Sequence, residues 1–345
     1  MISFACDYSE GAIPEIMEYF NTTNLVNTPG YGEDEYCSKA AFFIKNKLKT
    51  DNVDVHFLVG GTQANLISIS HVLRPHQGVI ALSSGHISIH ESGAIEATGH
   101  KVLETGFSKD GKLTIEMIEK AKENLLPPHT VEPKMVYISN PTEMGTLYTK
   151  KELIDISNLC KQNDYYLYID GARLAMALTS EKNDILLEDY PKYADIFYIG
   201  GTKCGALFGE ALVIVNANLK KDIKYAFKQK GALLAKGRLL GLQFERLFQT
   251  DLYEKYGVHA NEMAKELKEG FIKNGISLGY DSYTNQQFPI LSDELVKRLE
   301  KKYIFEFWGK VDEQHSIIRF VTSWATKKEN IDEFLNDLKN LIENK

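Results

Sequence analysis

The sequence predicts an α/β protein: a mostly parallel sheet sandwiched by helices, followed by a smaller C-terminal α+β domain. Three observations carry this expectation. From about residue 53 to 216, short apolar runs rich in β-branched and aromatic residues alternate with amphipathic helical patterns. That rhythm belongs to a parallel sheet covered on both faces by its crossover helices. Beyond about residue 245 the texture changes to longer helical patterns with two isolated short strands.

Taken in order, residues 53–59 read as a strand and 63–73 as a helix. Residues 79–82 and 101–103 follow as strands, with a helical pattern around 88–97 between them. Within 113–126, Ile115, Ile118, Ala121 and Leu125 recur at helical spacing. A strand at 135–139, a helix at 151–163 and strands at 165–169 and 195–199 come next, and 211–215 closes the series. Further on, Ala260, Met263, Ala264, Leu267 and Phe271 mark one face of an amphipathic helix. Strands at 287–291 and 317–321 flank a helical segment at 292–301, and Ile331, Phe334, Leu335, Leu338 and Ile342 give a last helix. The boundary between the two parts is expected inside or just after a long helix in 239–252. Residues 1–245 then form the large domain, including the N-terminal segment, and 246–345 the small one, a size usual for a domain.

Composition bounds the function. A chain of 345 residues can bury a substantial core, and 43% hydrophobic with 25% charged residues is ordinary for a globular protein. The net charge of −7 argues against nucleic acid as a partner. Lys221, Lys224, Lys228 and Lys230 read as a solvated helix face. The N-terminus lacks the basic start and apolar stretch of a signal peptide. No apolar run approaches the roughly 20 residues that cross a bilayer. Four cysteines (Cys6, Cys37, Cys160 and Cys204) stand far apart without a disulfide-like framework. A cytoplasmic protein with no membrane partner is the expectation.

The chemistry-bearing residues sit where the strands end. Strand 165–169 stops at Asp170, and strand 195–199 stops at Gly200-Gly201-Thr202-Lys203. In α/β sheets the carboxyl ends of strands form the ligand crevice. A carboxylate and an amine delivered there suit pyridoxal phosphate: the lysine forms a Schiff base, and the acid keeps the ring nitrogen protonated. Each has a plainer reading alone, Asp170 as the N-cap of a helix starting at Arg173 and Lys203 as a solvent lysine. Their joint occurrence favours the cofactor. Gly60-Gly61-Thr62 follows a strand and opens a helix, which makes a phosphate seat or, more plainly, an N-cap threonine. Neither GxGxxG nor GxxxxGK[ST] spacing is present, so nucleotide binding ranks low. His86, just past strand 79–82, is placed to lie over a cofactor ring and handle protons, or to be a hydrogen-bonded loop histidine. His86 and His90 are four apart but lack a third ligand, so no metal is expected.

These motifs, in this order, resemble the threonine aldolase / β-eliminating lyase family of fold-type-I pyridoxal-phosphate enzymes. The likeness runs from Asp7-Tyr8-Ser9-Glu10-Gly11 to Arg319. It includes the tight turn Tyr31-Gly32-Glu33-Asp34, the phosphate turn Gly60-Gly61-Thr62, and Ser84-Gly85-His86. It continues through Ile169-Asp170-Gly171-Ala172-Arg173, Gly201-Thr202-Lys203, and Ile318-Arg319-Phe320-Val321-Thr322. The resemblance implies an aminotransferase-like (fold type I) architecture. It implies that Lys203 holds the cofactor, that Asp170 pairs with the ring nitrogen, and that His86 stacks on the ring. Gly61, Thr62 and Thr202 would cradle the phosphate. Arg173, beside the cofactor, and Arg319 would clamp the substrate carboxylate, with Tyr31 and Cys6 nearby. Arg238 resembles the family's residue that reaches a neighbouring subunit's phosphate, which implies a homodimer or homotetramer with the active site at a subunit interface.

The implied reaction is retro-aldol cleavage of a β-hydroxy-α-amino acid to glycine and an aldehyde, with His86, directly or through water, as base for the hydroxyl. β-Elimination or transamination on the same cofactor is the alternative, and a non-catalytic protein keeping the fold is the other class. Two departures stand out. Cys6 replaces a serine found in many members. The segment Asn140-Pro141-Thr142-Glu143-Met144-Gly145-Thr146 lacks the histidine that some members carry there.

Overall fold

Seven strands form the central sheet in a computed structural model of the chain, which describes residues 1–123 and 125–343. The chain begins with β1 (Ile2–Ser3) and two helices that the sequence pattern does not announce, α1 (Pro14–Thr23) and α2 (Glu35–Leu48). Pro14 occupies the first turn of α1, where its missing N–H costs nothing. Asp34 caps α2, its side chain accepting from Cys37 N at 2.9 Å. Then follow β2 (Asp54–Leu58), α3 (Gly61–Val72), β3 (Gln77–Ala81), α4 (His86–Ile89), β4 (Val102–Glu104), α5 (Ile115–Glu123) and β5 (Glu132–Ser139). The second half of the unit comprises α6 (Lys150–Gln162), β6 (Tyr166–Asp170), α7 (Leu174–Leu178), α8 (Tyr190–Tyr193), β7 (Ile196–Gly200) and β8 (Glu210–Ile214).

The strand order is β2-β8-β7-β6-β5-β3-β4. From β4 to β7 every neighbouring pair is parallel, whereas β8 runs antiparallel to both β7 and β2. One edge of the sheet therefore carries the carboxyl ends of six strands and the start of the seventh. Period-two alternation sorts the strand residues between two apolar layers. Ile138, Ile169 and Ile199 belong to one layer, and Tyr137, Tyr168 and Tyr198 to the other.

The expected helix at 88–97 is not continuous. After the short α4, Ser92 and Gly93 take positive φ values of 52° and 71°, which breaks the spiral, and only a 3-10 turn at Glu96–Thr98 follows. The helical pattern expected over 113–126 is realised as α5, and Asn124 lies outside the described residues, as do 344 and 345.

The remainder comprises α9 (Ile223–Gln229), α10 (Arg238–Gln249), α11 (Leu252–Lys273), β9 (Gln286–Gln287), β10 (Ile290–Ser292) and α12 (Asp293–Leu299). It ends with β11 (Tyr303–Ile304), β12 (Glu306–Lys310), β13 (His315–Val321) and α13 (Lys328–Glu343). The expected strand at 287–291 is two strands, because Pro289, which has no N–H for a ladder, falls between them. Strand β13 pairs antiparallel with β9, β10 and β12. Its Ile318 and Phe320 pack with Phe271 of α11 and with Phe334 and Leu338 of α13. Phe4 is buried in this same core and β1 pairs in parallel with β11, so the N-terminal strand sits with residues beyond 245.

Candidate active site

The loops that leave the shared sheet edge, together with β12 and β13, enclose a cavity of about 520 Å³. Gly171 and Gly200 let two of those loops leave side by side. A Cβ at Gly171 would stand 2.0 Å from Tyr198 O, and one at Gly200 2.2 Å from Ala172 O. Any side chain at either position would force apart the segments that carry Arg173 and Lys203.

Asp170, buried at the end of β6, is held by a set of donors. The Tyr198 hydroxyl donates to Oδ1 at 2.5 Å, the Tyr137 hydroxyl to Oδ2 at 2.5 Å, and Ala172 N–H to Oδ1 at 3.0 Å. Burial, and then the Asp170 charge, pushes both phenols well above their ordinary range, so they remain donors. Asp170 does not cap a helix beginning at Arg173; α7 starts at Leu174, with Arg173 in the cap position. From Asp170 a chain of contacts leads to His86. Asn65 Nδ2 bonds Asp170 Oδ2 at 3.4 Å and Glu91 Oε1 at 2.6 Å, and His86 Nδ1 lies 2.7 Å from that same oxygen. A carboxylate only accepts, so Nδ1 carries the proton towards Glu91.

Lys203 follows β7 by one turn. Burial, and then the nearby Arg173 charge, lowers its pKa from the usual lysine range, which favours the neutral, nucleophilic amine. Beside it stands Glu210, the first residue of the antiparallel strand. It accepts from Thr202 Oγ1 at 2.9 Å and from Gly201 N–H at 3.0 Å, and burial pushes its pKa up to about 8. Across the cavity, α3 begins at Gly61 without a side-chain cap. Thr62 is thus not the cap, and the first N–H groups of this 12-residue helix are open to an anion.

The two arginines come from distant parts of the chain, Arg173 before α7 and Arg319 on β13. Arg173 makes a forked pair with Asp7, Nε to Oδ2 at 2.7 Å and Nη2 to Oδ1 at 3.0 Å, and Asn285 Nδ2 joins Asp7 Oδ2 at 2.9 Å. Burial opposes the charge on each partner, and their mutual attraction outweighs it: Asp7 is held below the usual carboxylate range and Arg173 above its usual value. Arg319, on β13, pairs with Glu306, bonds Gln286 Oε1 at 3.2 Å and lies 5.1 Å from the centre of the Trp308 ring. Its Nε is buried without a partner, a donor open to a bound carboxylate.

Among the residues singled out from sequence, the cavity brings together Gly61, Thr62, His86 and Asp170 with Arg173, Thr202, Lys203 and Arg319. Three do not line it within the single chain. Tyr31, at φ 60°, lines a separate cleft beneath the Lys228 ammonium. Arg238 donates to the carbonyls of Thr23 and Val26 and stacks on Tyr36 in another cleft. Cys6 Sγ sits 3.1 Å from Ser9 Oγ. Sequence reasoning misses Asp7, Asn65, Glu91, Tyr137, Tyr198 and Glu210 as site residues. One signal is available: Tyr137, Tyr168 and Tyr198 each stand two residues before the end of a strand, hence on one face with Asp170.

The sheet order, the reversed β8 and the lysine after β7 define an aminotransferase-like, fold-type-I architecture. Aspartate aminotransferase from Thermus thermophilus superposes with a TM-score of 0.73, at 16% identity over 99% of this chain and 91% of that one. Residues 4–294 match the family described as beta-eliminating lyase, and the chain belongs to that family. It is 30% identical to a low specificity L-threonine aldolase of Pseudomonas aeruginosa, over 97% of this chain and 96% of that protein. A solved Leishmania major threonine aldolase superposes with a TM-score of 0.98 at 47% identity, covering 99% of this chain and 100% of that one. The chain is an enzyme of this lyase family. No helix among the described residues is long and apolar enough to cross a membrane.

Proposed function

We propose that the protein is a pyridoxal-phosphate-dependent lyase that cleaves the Cα–Cβ bond of a β-hydroxy-α-amino acid, of the L-threonine or L-allo-threonine type, to glycine and an aldehyde. The observation that carries this reading is the convergence of Lys203, Asp170 and two guanidinium groups in one cavity. The relatives named L-threonine aldolases, matched over nearly the whole chain, support the choice of reaction within the family.

The residues present fit the cofactor. The uncapped start of α3, with Thr62 and Thr202, suits its phosphate. Asp170, held by two phenols and a backbone N–H, suits a protonated ring nitrogen, and Lys203 suits the covalent link. Bound there, pyridoxal phosphate supplies an electron sink for the pair left when the Cα–Cβ bond breaks.

The chain's own groups do the rest. Arg319, through its unpartnered Nε, and Arg173, kept charged by Asp7, hold the substrate carboxylate. Fixing that carboxylate orients the bond to be broken, and orientation of this kind lowers the barrier without new chemistry. His86, pinned at Nδ1 by Glu91, would lie against the ring. Lys203, with its lowered pKa, would hold the cofactor and, when free, would carry a proton at the substrate's Cα. A homodimer or homotetramer completes the proposal: Tyr31 and Arg238, remote from Lys203 within one chain, would then serve a neighbouring subunit's cavity. The free thiols fit a cytoplasmic setting.

The test is an absorbance titration of the purified protein with pyridoxal phosphate. A visible band should appear with the native chain and be absent from Lys203→Ala, which should also lose turnover. A native protein without the band overturns the cofactor assignment.

A further inference from the structure

We propose that Glu143 is the catalytic base that takes the proton from the substrate's β-hydroxyl, an inference that rests on the aldolase reading above. The cavity has four carboxylates on its wall: Glu143, Asp170, Glu210 and Glu306. Three are committed. Asp170 takes two phenols and a backbone N–H, Glu210 has a partner on each oxygen, and Glu306 is paired with Arg319. Glu143 differs. It is half-buried, and its Oε1 alone takes both of its hydrogen bonds, from Ser139 Oγ at 2.7 Å and from the His86 backbone N–H at 2.9 Å. Oε2 has no hydrogen-bond partner among the described residues. One oxygen is thus anchored and the other is available to a substrate hydroxyl, the geometry a base requires.

Glu143 also stands in the right place. Its backbone leaves the end of β5, and the bond from His86 N–H ties it to the turn whose imidazole would cover the cofactor ring. Glu143 shares the cavity wall with Lys203, Arg173 and Arg319, where a substrate's β-hydroxyl would meet it. The titratable and charged groups that act on Glu143 or are acted on by it are Asp170 of β6, His86 of α4, Tyr137 of β5, Tyr148 of the following loop and Arg173 beyond β6. Burial, with the Asp170 charge adding to it, raises the pKa of Glu143 from the ordinary glutamate value. That moves a carboxylate towards the range where it is an effective base near neutral pH. His86 is engaged differently, its ring fixed through Nδ1 by Glu91.

The step balances. The hydroxyl O–H breaks and its proton passes to Glu143; the oxygen forms the aldehyde C=O as the Cα–Cβ bond breaks. The electron pair of that bond stays at Cα, where Lys203, protonated from solvent, delivers a proton to give glycine. Glu143 then releases its proton to solvent.

The experiment compares native holoenzyme with Glu143→Gln, Glu143→Asp and His86→Phe. Two rates are followed across pH: glycine release from L-threonine, and exchange of the glycine α-hydrogen with solvent deuterium. The exchange needs Lys203 and the cofactor but no β-hydroxyl. Glu143→Gln should lose roughly 100-fold or more in threonine cleavage while keeping the cofactor absorbance and glycine exchange within about threefold of native. The rising acid-side limb of kcat/KM should vanish in Glu143→Gln, shift in Glu143→Asp and persist in His86→Phe. Equal losses in cleavage and exchange would show a structural role and overturn the proposal. So would unchanged cleavage in Glu143→Gln, or a limb that follows His86. A native holoenzyme that exchanges glycine but releases none from L-threonine or L-allo-threonine would overturn the aldolase reading itself, a result distinct from any failure confined to the Glu143 variants.

Discussion

Asp7→Asn isolates the most buried charge pair of the site. The substitution leaves the Arg173 guanidinium without its counter-charge, and breaking a buried pair from one side costs about 3–5 kcal/mol. Urea denaturation at pH 7 should show a loss of that size. The pH dependence has a definite sign. Asp7 has its folded pKa below the unfolded value, so its stabilisation is present above about pH 4 and disappears as pH falls through the folded pKa. The Asn variant should lack that share of the acid-side loss. Sequence legibility at this scale follows strand ends. Asp170, Thr62, His86 and Lys203 are readable because each lies just past an apolar run. Asp7 is not, because it meets Arg173 across 166 residues of chain. Glu210 is hidden for another reason: an apolar run does not state its direction, and only a reversed β8 brings its first residue to the active edge.

Elements meet closely where α11 crosses α7. A Cβ at Gly257 would lie 2.7 Å from Ala175 O and 2.9 Å from Thr179 Oγ1. Alanine is the better helix former by about 1 kcal/mol, but forcing a methyl against backbone costs about 1–3 kcal/mol. Gly257→Ala should therefore lower the thermal midpoint, whereas propensity alone predicts a rise. On β2, His56 is held neutral: burial lowers its pKa from 6.5 to about 4, and its Nε2 has no partner. The unfolded chain thus binds a proton that the folded one refuses, and stability drains as pH falls from about 6.5 to about 4. Denaturation midpoints of His56→Phe should fall less across that window than those of the native chain. Helices at this scale are legible where one face is apolar and the run is long, as in α11 and α13. The pattern around 88–97 misleads because a residue other than glycine, Ser92, takes a left-handed conformation in the turn. The short strands β11 and β12 give no periodic signal; β1 beside β11 and β13 beside β12 supply their context.

Across the whole molecule, the N-terminal segment joins the central sheet to the C-terminal core. β1 and Phe4 lie in the C-terminal core, and Asp7, a few residues on, grips Arg173 at the sheet edge. Leu25 at 95% exposure, with Val26 and Tyr31 also exposed near Arg238, leaves apolar surface beside the clefts that would face a neighbouring subunit. Sedimentation should accordingly give a dimer or tetramer; a monomer at micromolar concentration would contradict the shared-site proposal. The overall architecture is the most legible feature, since alternating strands and helices admit few arrangements. The measurement closest to the central claim is product analysis with L-threonine and L-allo-threonine, run on the chain reconstituted with pyridoxal phosphate and on Lys203→Ala. Equal amounts of glycine and acetaldehyde from the native chain, with none above background from the variant, are the predicted result. Pyruvate and ammonia in their place, or glycine release that survives loss of Lys203, would contradict it.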